Sequence, residues 1–128
     1  LGLPQDYDMA MELCHRAGEL GCARSYYNIA ELYRSGVGVE RDLKKAKYYY
    51  ELATMRGNAF ARYNLGCIEG MSGNGDRAMK HWMIAAGAGD DKSLETIREN
   101  FLKGHATKDD FEKALRAHKE AKLDEETA

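Results

Sequence analysis

GNAFARYNLGCIEGMS, residues 57–72, carries a glycine where its spacing calls for a helix. Gly66 follows Ala59, Ala61, Tyr63 and Leu65, and no turn signal appears before Ser72. A glycine in a helix interior costs about 1 kcal/mol relative to alanine, so some packing gain must offset it. The upstream sequence says where that gain lies. GCARSYYNIAELYRSG, residues 21–36, aligns with the quoted stretch at a constant offset of 36. Gly21 falls on Gly57, Ala23 on Ala59, Tyr27 on Tyr63, Asn28 on Asn64, Ile29 on Leu65 and Ala30 on Gly66. A small residue therefore recurs at one position of a repeat, which predicts close approach of paired helices there.

The segments between these stretches repeat as well. AMELCHRAGELG (10–21) matches AKYYYELATMRG (46–57) and, 32 residues further on, AMKHWMIAAGAG (78–89). Ala10, Ala46 and Ala78 coincide, as do Ala17, Ala53 and Ala85. Weaker copies follow in GDDKSLETIRENFLKG (89–104), with Ile97 in the place of Leu65, and in ALRAHKEA (114–121). Each alanine lies 19 residues before the next aliphatic, but the return spacing is 17, then 13, then 17. The short one lacks about one helical turn, where SGNGDRA (72–78) stands for SGVGVERDLKKA (35–46). A deletion confined to one kind of connection implies that the other kind is geometrically fixed.

Apolar residues three and four apart, such as Ala46, Tyr49, Tyr50 and Ala53, mark each segment as a helix. Asp42, Asp76 and Asp90 stand near helix starts, and TKDD (107–110) resembles a capping box. Tandem helix pairs at a period near 36 describe an all-α solenoid. Tyr49 and Tyr50 are expected in its core, Tyr48 partly exposed, and Trp82 in the same core position as Tyr50. An aromatic recognition patch over 47–57 is the alternative.

Composition narrows the function. Of 128 residues, 44% are hydrophobic and 31% charged, which fits a folded chain rather than a disordered one. The net charge of −2, with both signs interspersed, argues against nucleic acid as a partner. No apolar run reaches the length of a membrane span, so no membrane partner is expected. Cys14, Cys22 and Cys67 form no CxxC motif and are expected to be free thiols. That suits a reducing, cytoplasmic setting. His15, His81, His105 and His118 are scattered, with no metal-ligand spacing. Cys14 and His15, being adjacent, point about 100° apart on a helix and cannot act as a nucleophile–base pair. Phosphate loops and nucleophile elbows are absent. Neither enzyme activity, nor a cofactor, nor a metal is expected.

The YNLG pattern, the GVGVERD loop (36–42) and the A-x-x-Y-Y-x-x-A…G-N-A run (46–59) resemble Sel-one-like repeats, relatives of the tetratricopeptide repeat. The resemblance is strong over 36–66, fair over 8–35 and 67–89, and thin from 90, where Glu95 and Thr96 replace tyrosine and asparagine. It implies a right-handed α/α superhelix of antiparallel helix pairs. It also implies an adaptor that holds a protein or peptide, without catalysis of its own. A cysteine-rich branch of the family pairs cysteines at the spacing of Cys14 and Cys22, although the register here is about one turn off. The array is expected over 1–121, with 122–128 a charged, fraying tail. GLPQD (2–6) lies 36 before GVERD (38–42). It therefore reads as an inter-helix loop, with a first helix over about 7–20 and the chain a piece of a longer array. The apolar side of that first helix, lacking a cap, could promote self-association.

In such solenoids the first helix of each pair lines the concave face. The resemblance places Arg24, Tyr27, Asn28, Glu31 and Arg34 there, then Phe60, Tyr63, Asn64 and Cys67, then Lys92, Glu95 and Glu99. Tyrosine, arginine and asparagine together suit peptide binding. Asn28 and Asn64 could grip a peptide main chain, or simply bond a neighbouring helix or loop. Some tetratricopeptide relatives clamp a terminal carboxylate on this face; only Asn64 and Lys92 match, and Glu31, Glu95 and Glu99 would repel it. The expected ligand is therefore of mixed or basic character. The alternative is a structural spacer with nothing in its groove.

Overall fold

Seven α-helices follow one another among the described residues of the computed structural model, which describes residues 3–127 and side chains from Asp8 to Thr127. They are α1 (Leu3–Glu19), α2 (Ala23–Ser35), α3 (Leu43–Met55), α4 (Ala59–Met71), α5 (Gly75–Gly87), α6 (Asp91–Leu102) and α7 (Lys108–Thr127). The chain divides into two compact units, residues 1–61 and 62–128, with the division inside α4.

One turn recurs after α1, α3 and α5. Gly21, Gly57 and Gly89 hold φ of 101°, 92° and 99°, a left-handed conformation that glycine adopts without strain. The next residue then bonds back to the last repeat alanine: Cys22 N–H to Ala17 O, Asn58 N–H to Ala53 O and Asp90 N–H to Ala85 O, at 2.9–3.0 Å. That six-residue closure is a Schellman C-cap; after α1, α3 and α5 it makes up the connection the sequence marked as fixed, and it also ends α4, where Asn74 N–H bonds to Glu69 O at 2.8 Å, and α6, where His105 N–H bonds to Asn100 O at 2.7 Å. The other connection varies. Residues 36–42 join α2 to α3, but only 72–74 join α4 to α5. The deletion falls wholly in the loop and shortens neither helix.

In residues 1–61, α2 and α3 pack antiparallel: Tyr33 lies by Lys45 at one end and Tyr27 by Tyr50 further along. Ile29, Ala30, Ala46, Tyr50 and Ala53 are fully buried. Tyr49 is only half-buried, not a core residue as its spacing predicts. Its ring lies between those of Tyr26 and Tyr33, with His15 against its edge. Tyr48 is exposed as expected. Ala10, although aligned with buried alanines, is exposed on α1.

The loop reading of 2–6 fails for Leu3–Asp6, which form the first turn of α1; Gly2 lies outside the described residues. Pro4 permits this because first-turn N–H groups have no helical acceptor. The expected tail also continues as helix, through Thr127, whose Oγ1 donates to Leu123 O at 3.1 Å. Lys122 Nζ reaches Asp91 Oδ1 of α6 at 3.5 Å.

In residues 62–128, Ala78, Trp82, Ala86, Ile97 and Ala114 form the core, with Tyr63, Cys67, Met79 and Phe111 packed on it. Trp82 thus occupies the core position that aligns with Tyr50. Its indole covers Gly66: a Cβ there would lie 2.6 Å from Trp82 Cδ1. The glycine makes room for a ring, not for a bare backbone as its repeat position first implies.

Two of the three aspartates are caps. Asp42 accepts from Lys45 N–H, and Asp90 accepts from Ser93 N–H at 2.9 Å and Ser93 Oγ at 2.5 Å. Asp76 instead lies inside the first turn of α5. Thr107 Oγ1 accepts from Asp110 N–H at 3.0 Å, the expected start of α7. Ser93 is fully buried, so Asp90→Ala removes a cap and also orphans a buried hydroxyl. The expected cost is about 1–2 kcal/mol, read as a lower urea midpoint at unchanged slope; an unmoved midpoint would mean that water replaces the carboxylate.

Candidate protein-interaction surface

A helix buries one stripe and leaves the opposite one to solvent. On α2 the buried stripe is Ser25, Tyr26, Ile29 and Ala30. The other stripe, at three- and four-residue spacing, is Arg24, Tyr27, Asn28, Glu31 and Arg34. Arg24, Asn28 and Arg34 are exposed, whereas Tyr27 and Glu31 are half-buried. Tyr27 is braced by ring contacts to Tyr50 at 5.9 Å and to Phe60 at 6.3 Å, and Phe60 itself is 62% exposed.

Glu31 and Arg34 do more than face outward. The Tyr50 hydroxyl donates to Glu31 Oε1, Arg34 Nε donates back to Tyr50 Oη at 3.2 Å, and Arg34 Nη2 pairs with Glu31 Oε2 at 2.7 Å. Burial, followed by the Glu31 carboxylate, pushes the Tyr50 phenol well above the usual range. The phenol therefore stays protonated and donates. The bond to Glu31 and the contact with Tyr50 raise the Arg34 guanidinium against the opposing pull of burial. Glu31 and Arg34 thus engage each other and Tyr50 while staying partly open to solvent. Spacing alone did not show this; the signal was a tyrosine, with a polar tip needing a partner, at a fully buried position.

In the second unit α4 presents Tyr63, Asn64 and Cys67, all half-buried. Thr96 Oγ1 donates to Tyr63 Oη at 3.5 Å, and Lys92 Nζ lies 6.0 Å from the ring centroid. Tyr63, Thr96 and Lys92 therefore form one patch on α4 and α6. Glu95 is exposed and paired with Arg98 at 3.3 Å, which softens its charge; Glu99 is exposed.

Cys14, Cys22 and Cys67 are free thiols. Burial raises Cys14, while hydrogen bonds at Ser25 lower the exposed Cys22 at the start of α2. Among the described residues no group of three or more His, Cys, Asp or Glu could hold a metal ion. No described helix is long and apolar enough to cross a membrane.

The model of the Sel1 repeat matches residues 1–22, 23–58 and 59–90. The chain belongs to the Sel1 repeat family. The second match coincides with α2, its loop and α3, and the third with α4 and α5; α6 and α7 follow the last match. A sel1-like repeat-containing protein, L21, of Acanthamoeba polyphaga mimivirus is 30% identical over 79 residues, covering 62% of this chain and 15% of that protein. Among solved structures, a Sel1 repeat protein from Oxalobacter formigenes aligns with TM-score 0.73 and 28% identity, over 91% of this chain and 50% of that one. The c5321 protein, a protective antigen present in uropathogenic Escherichia coli strains and displaying an SLR fold, aligns with TM-score 0.69 and 27% identity, over 89% of this chain and 25% of that one. The chain therefore spans half or less of the length of these relatives. The architecture is an all-α repeat fold of the Sel1 solenoid type. Sel1 repeat proteins generally serve as protein-interaction scaffolds and are typically not enzymes.

Proposed function

We propose that this Sel1 repeat chain holds a protein partner through the outward stripes of its first helices. One patch is Arg24, Tyr27, Asn28, Glu31 and Arg34 on α2; the other is Tyr63 and Asn64 on α4 with Lys92 on α6. The observation that carries this reading is the bracing of the two tyrosines. Tyr27 is half-open yet held by Tyr50 and Phe60, and Tyr63 is half-open yet held by Thr96 and Lys92. A rigid aromatic beside an amide offers contact area at low ordering cost. Because Arg34 offsets Glu31 and Arg98 offsets Glu95, the partner segment is of mixed charge.

Arg24, Asn28 and Lys92 are exposed, so Arg24→Ala/Asn28→Ala/Lys92→Ala leaves the buried core intact and removes the Lys92 ammonium from beside Tyr63. Capture from source-cell extract should yield a partner with the parent chain. The triple variant, at equal helicity, should bind it about tenfold more weakly or lose it, a change of about 1.4 kcal/mol. Equal capture by both chains would overturn the assignment and favour a spacer role.

A further inference from the structure

A cleft of about 500 Å³ opens in residues 62–128, where the end of α4, the start of α5 and the α6–α7 loop meet. Ligand clefts run about 300–1,000 Å³. Gly70, Gly75, Asp76, Trp82, His105 and Asp110 are among its lining residues. None of these belongs to the α2 or α4 patches described above.

Two features of the sequence create the space. The α4–α5 loop is four residues shorter than the α2–α3 loop. In addition, the repeat register puts Gly70 where α2 has Arg34, and Trp82 where α3 has Tyr50. In residues 1–61 the Arg34 side chain crosses to its aromatic neighbour, with Nε 3.2 Å from the Tyr50 oxygen. At Gly70 there is no side chain to make that crossing. A Cβ there would lie 3.7 Å from Trp82 Cη2, in ordinary contact, so the aromatic wall is kept while the guanidinium is gone.

Charge points the same way. Asp76, in the first turn of α5, and Asp110, in the first turn of α7, both line the cleft, and no lysine or arginine does. Three cations near the two aspartates in sequence pair elsewhere: Arg77 with Glu69 at 3.9 Å, Lys108 with Glu112 at 3.8 Å and Lys113 with Asp109 at 2.9 Å.

We propose that this cleft takes an arginine side chain from a protein partner, its guanidinium held by the Trp82 ring and the Asp76 and Asp110 carboxylates in place of the Tyr50 hydroxyl and Glu31 carboxylate that hold Arg34 one repeat earlier. A guanidinium suits an aromatic wall flanked by carboxylates: it is planar, weakly hydrated, able to stack, and presents paired donors. A lysine ammonium is a hydrated point charge and matches such a wall less well.

The test uses the full chain and three probes, acetyl-Gly-Arg-Gly-amide and its citrulline and lysine counterparts, followed by amide and indole NMR shifts. Trp82 is the single tryptophan, so its indole signal is unambiguous. The arginine peptide should shift the Trp82 indole and the Gly70, Gly75 and Gly104 amides saturably. Citrulline and lysine should bind about tenfold more weakly, and Asp76→Asn/Asp110→Asn should weaken arginine binding about tenfold. Gly70→Arg, which refills the cleft from α4, should abolish the response. Arg24→Ala/Asn28→Ala/Lys92→Ala should retain it, so the cleft and the helix stripes stand or fall separately. No saturable shift, equal shifts with citrulline or lysine, or an undiminished response in Gly70→Arg would overturn the proposal.

Discussion

Gly66→Leu should lower the unfolding free energy by about 1–3 kcal/mol, with even Gly66→Ala costing part of that. The physical cause is a single contact. A Cβ on residue 66 would meet the Trp82 indole at Nε1, with Cδ1 at 2.6 Å and Cε2 at 3.0 Å. The indole is only 8% exposed and packs with Ala78, Ala86, Ile97 and Ala114, so displacing it disturbs the core of this unit. One turn later the same helix should answer in the opposite sense. A Cβ on residue 70 would lie 3.7 Å from Trp82 and 3.8 Å from Ala78, ordinary contact distances. Gly70→Ala should therefore stabilise by about 0.5–1 kcal/mol, through reduced freedom of the unfolded chain and better helix propensity. Urea melts at constant slope read both changes. Two glycines in α4 that respond alike would contradict the placement of the indole.

Tyr50→Phe should cost about 1.5–3 kcal/mol, the range for hydrogen bonds to charged groups. Phenylalanine fills the same fully buried space, so the loss isolates the hydroxyl. That hydroxyl links the Glu31 carboxylate to the Arg34 guanidinium. The Glu31 side chain is 30% exposed, so water can partly replace the donor and the effect belongs near the lower end of the range. Glu31→Gln in the Tyr50→Phe background should then cost less than it does alone, because the two share one network. Additive losses in that double-mutant cycle would show that the hydroxyl and the carboxylate act independently.

The repeat itself was legible because its signal is steric. Small and aliphatic residues at Ala30, Ala46, Leu65, Ala78 and Ile97 recur at fixed offsets, and all are buried. The glycine turns were equally plain, since one backbone conformation demands one residue type. What lay outside the sequence was orientation. The need for a small residue at Gly66 could be read, but the ring that imposes it comes from the next helix, across a shortened loop. Glu31 and Arg34 could be placed on the outward stripe of α2, yet their shared bond to Tyr50 depends on how α3 leans against α2. The likeness of GLPQD to GVERD misled at Leu3–Asp6, because a proline early in a segment fits a first helical turn as well as a loop.

The α4–α5 loop shows that one edge of a repeat can lose four residues without disturbing either helix it joins. Length there is nearly free of structural consequence, since closure entropy changes only slowly with loop length. The opposite edge, locked by Gly21, Gly57 and Gly89, tolerates no such change. An engineer wishing to splice an epitope tag or a fluorescent reporter into this protein would therefore cut in the longer α2–α3 loop, between Val37 and Glu40, and not at Ser72–Asn74, where Gly73 at φ 84° and the Asn74 N–H bond to Glu69 O repeat the locking turn.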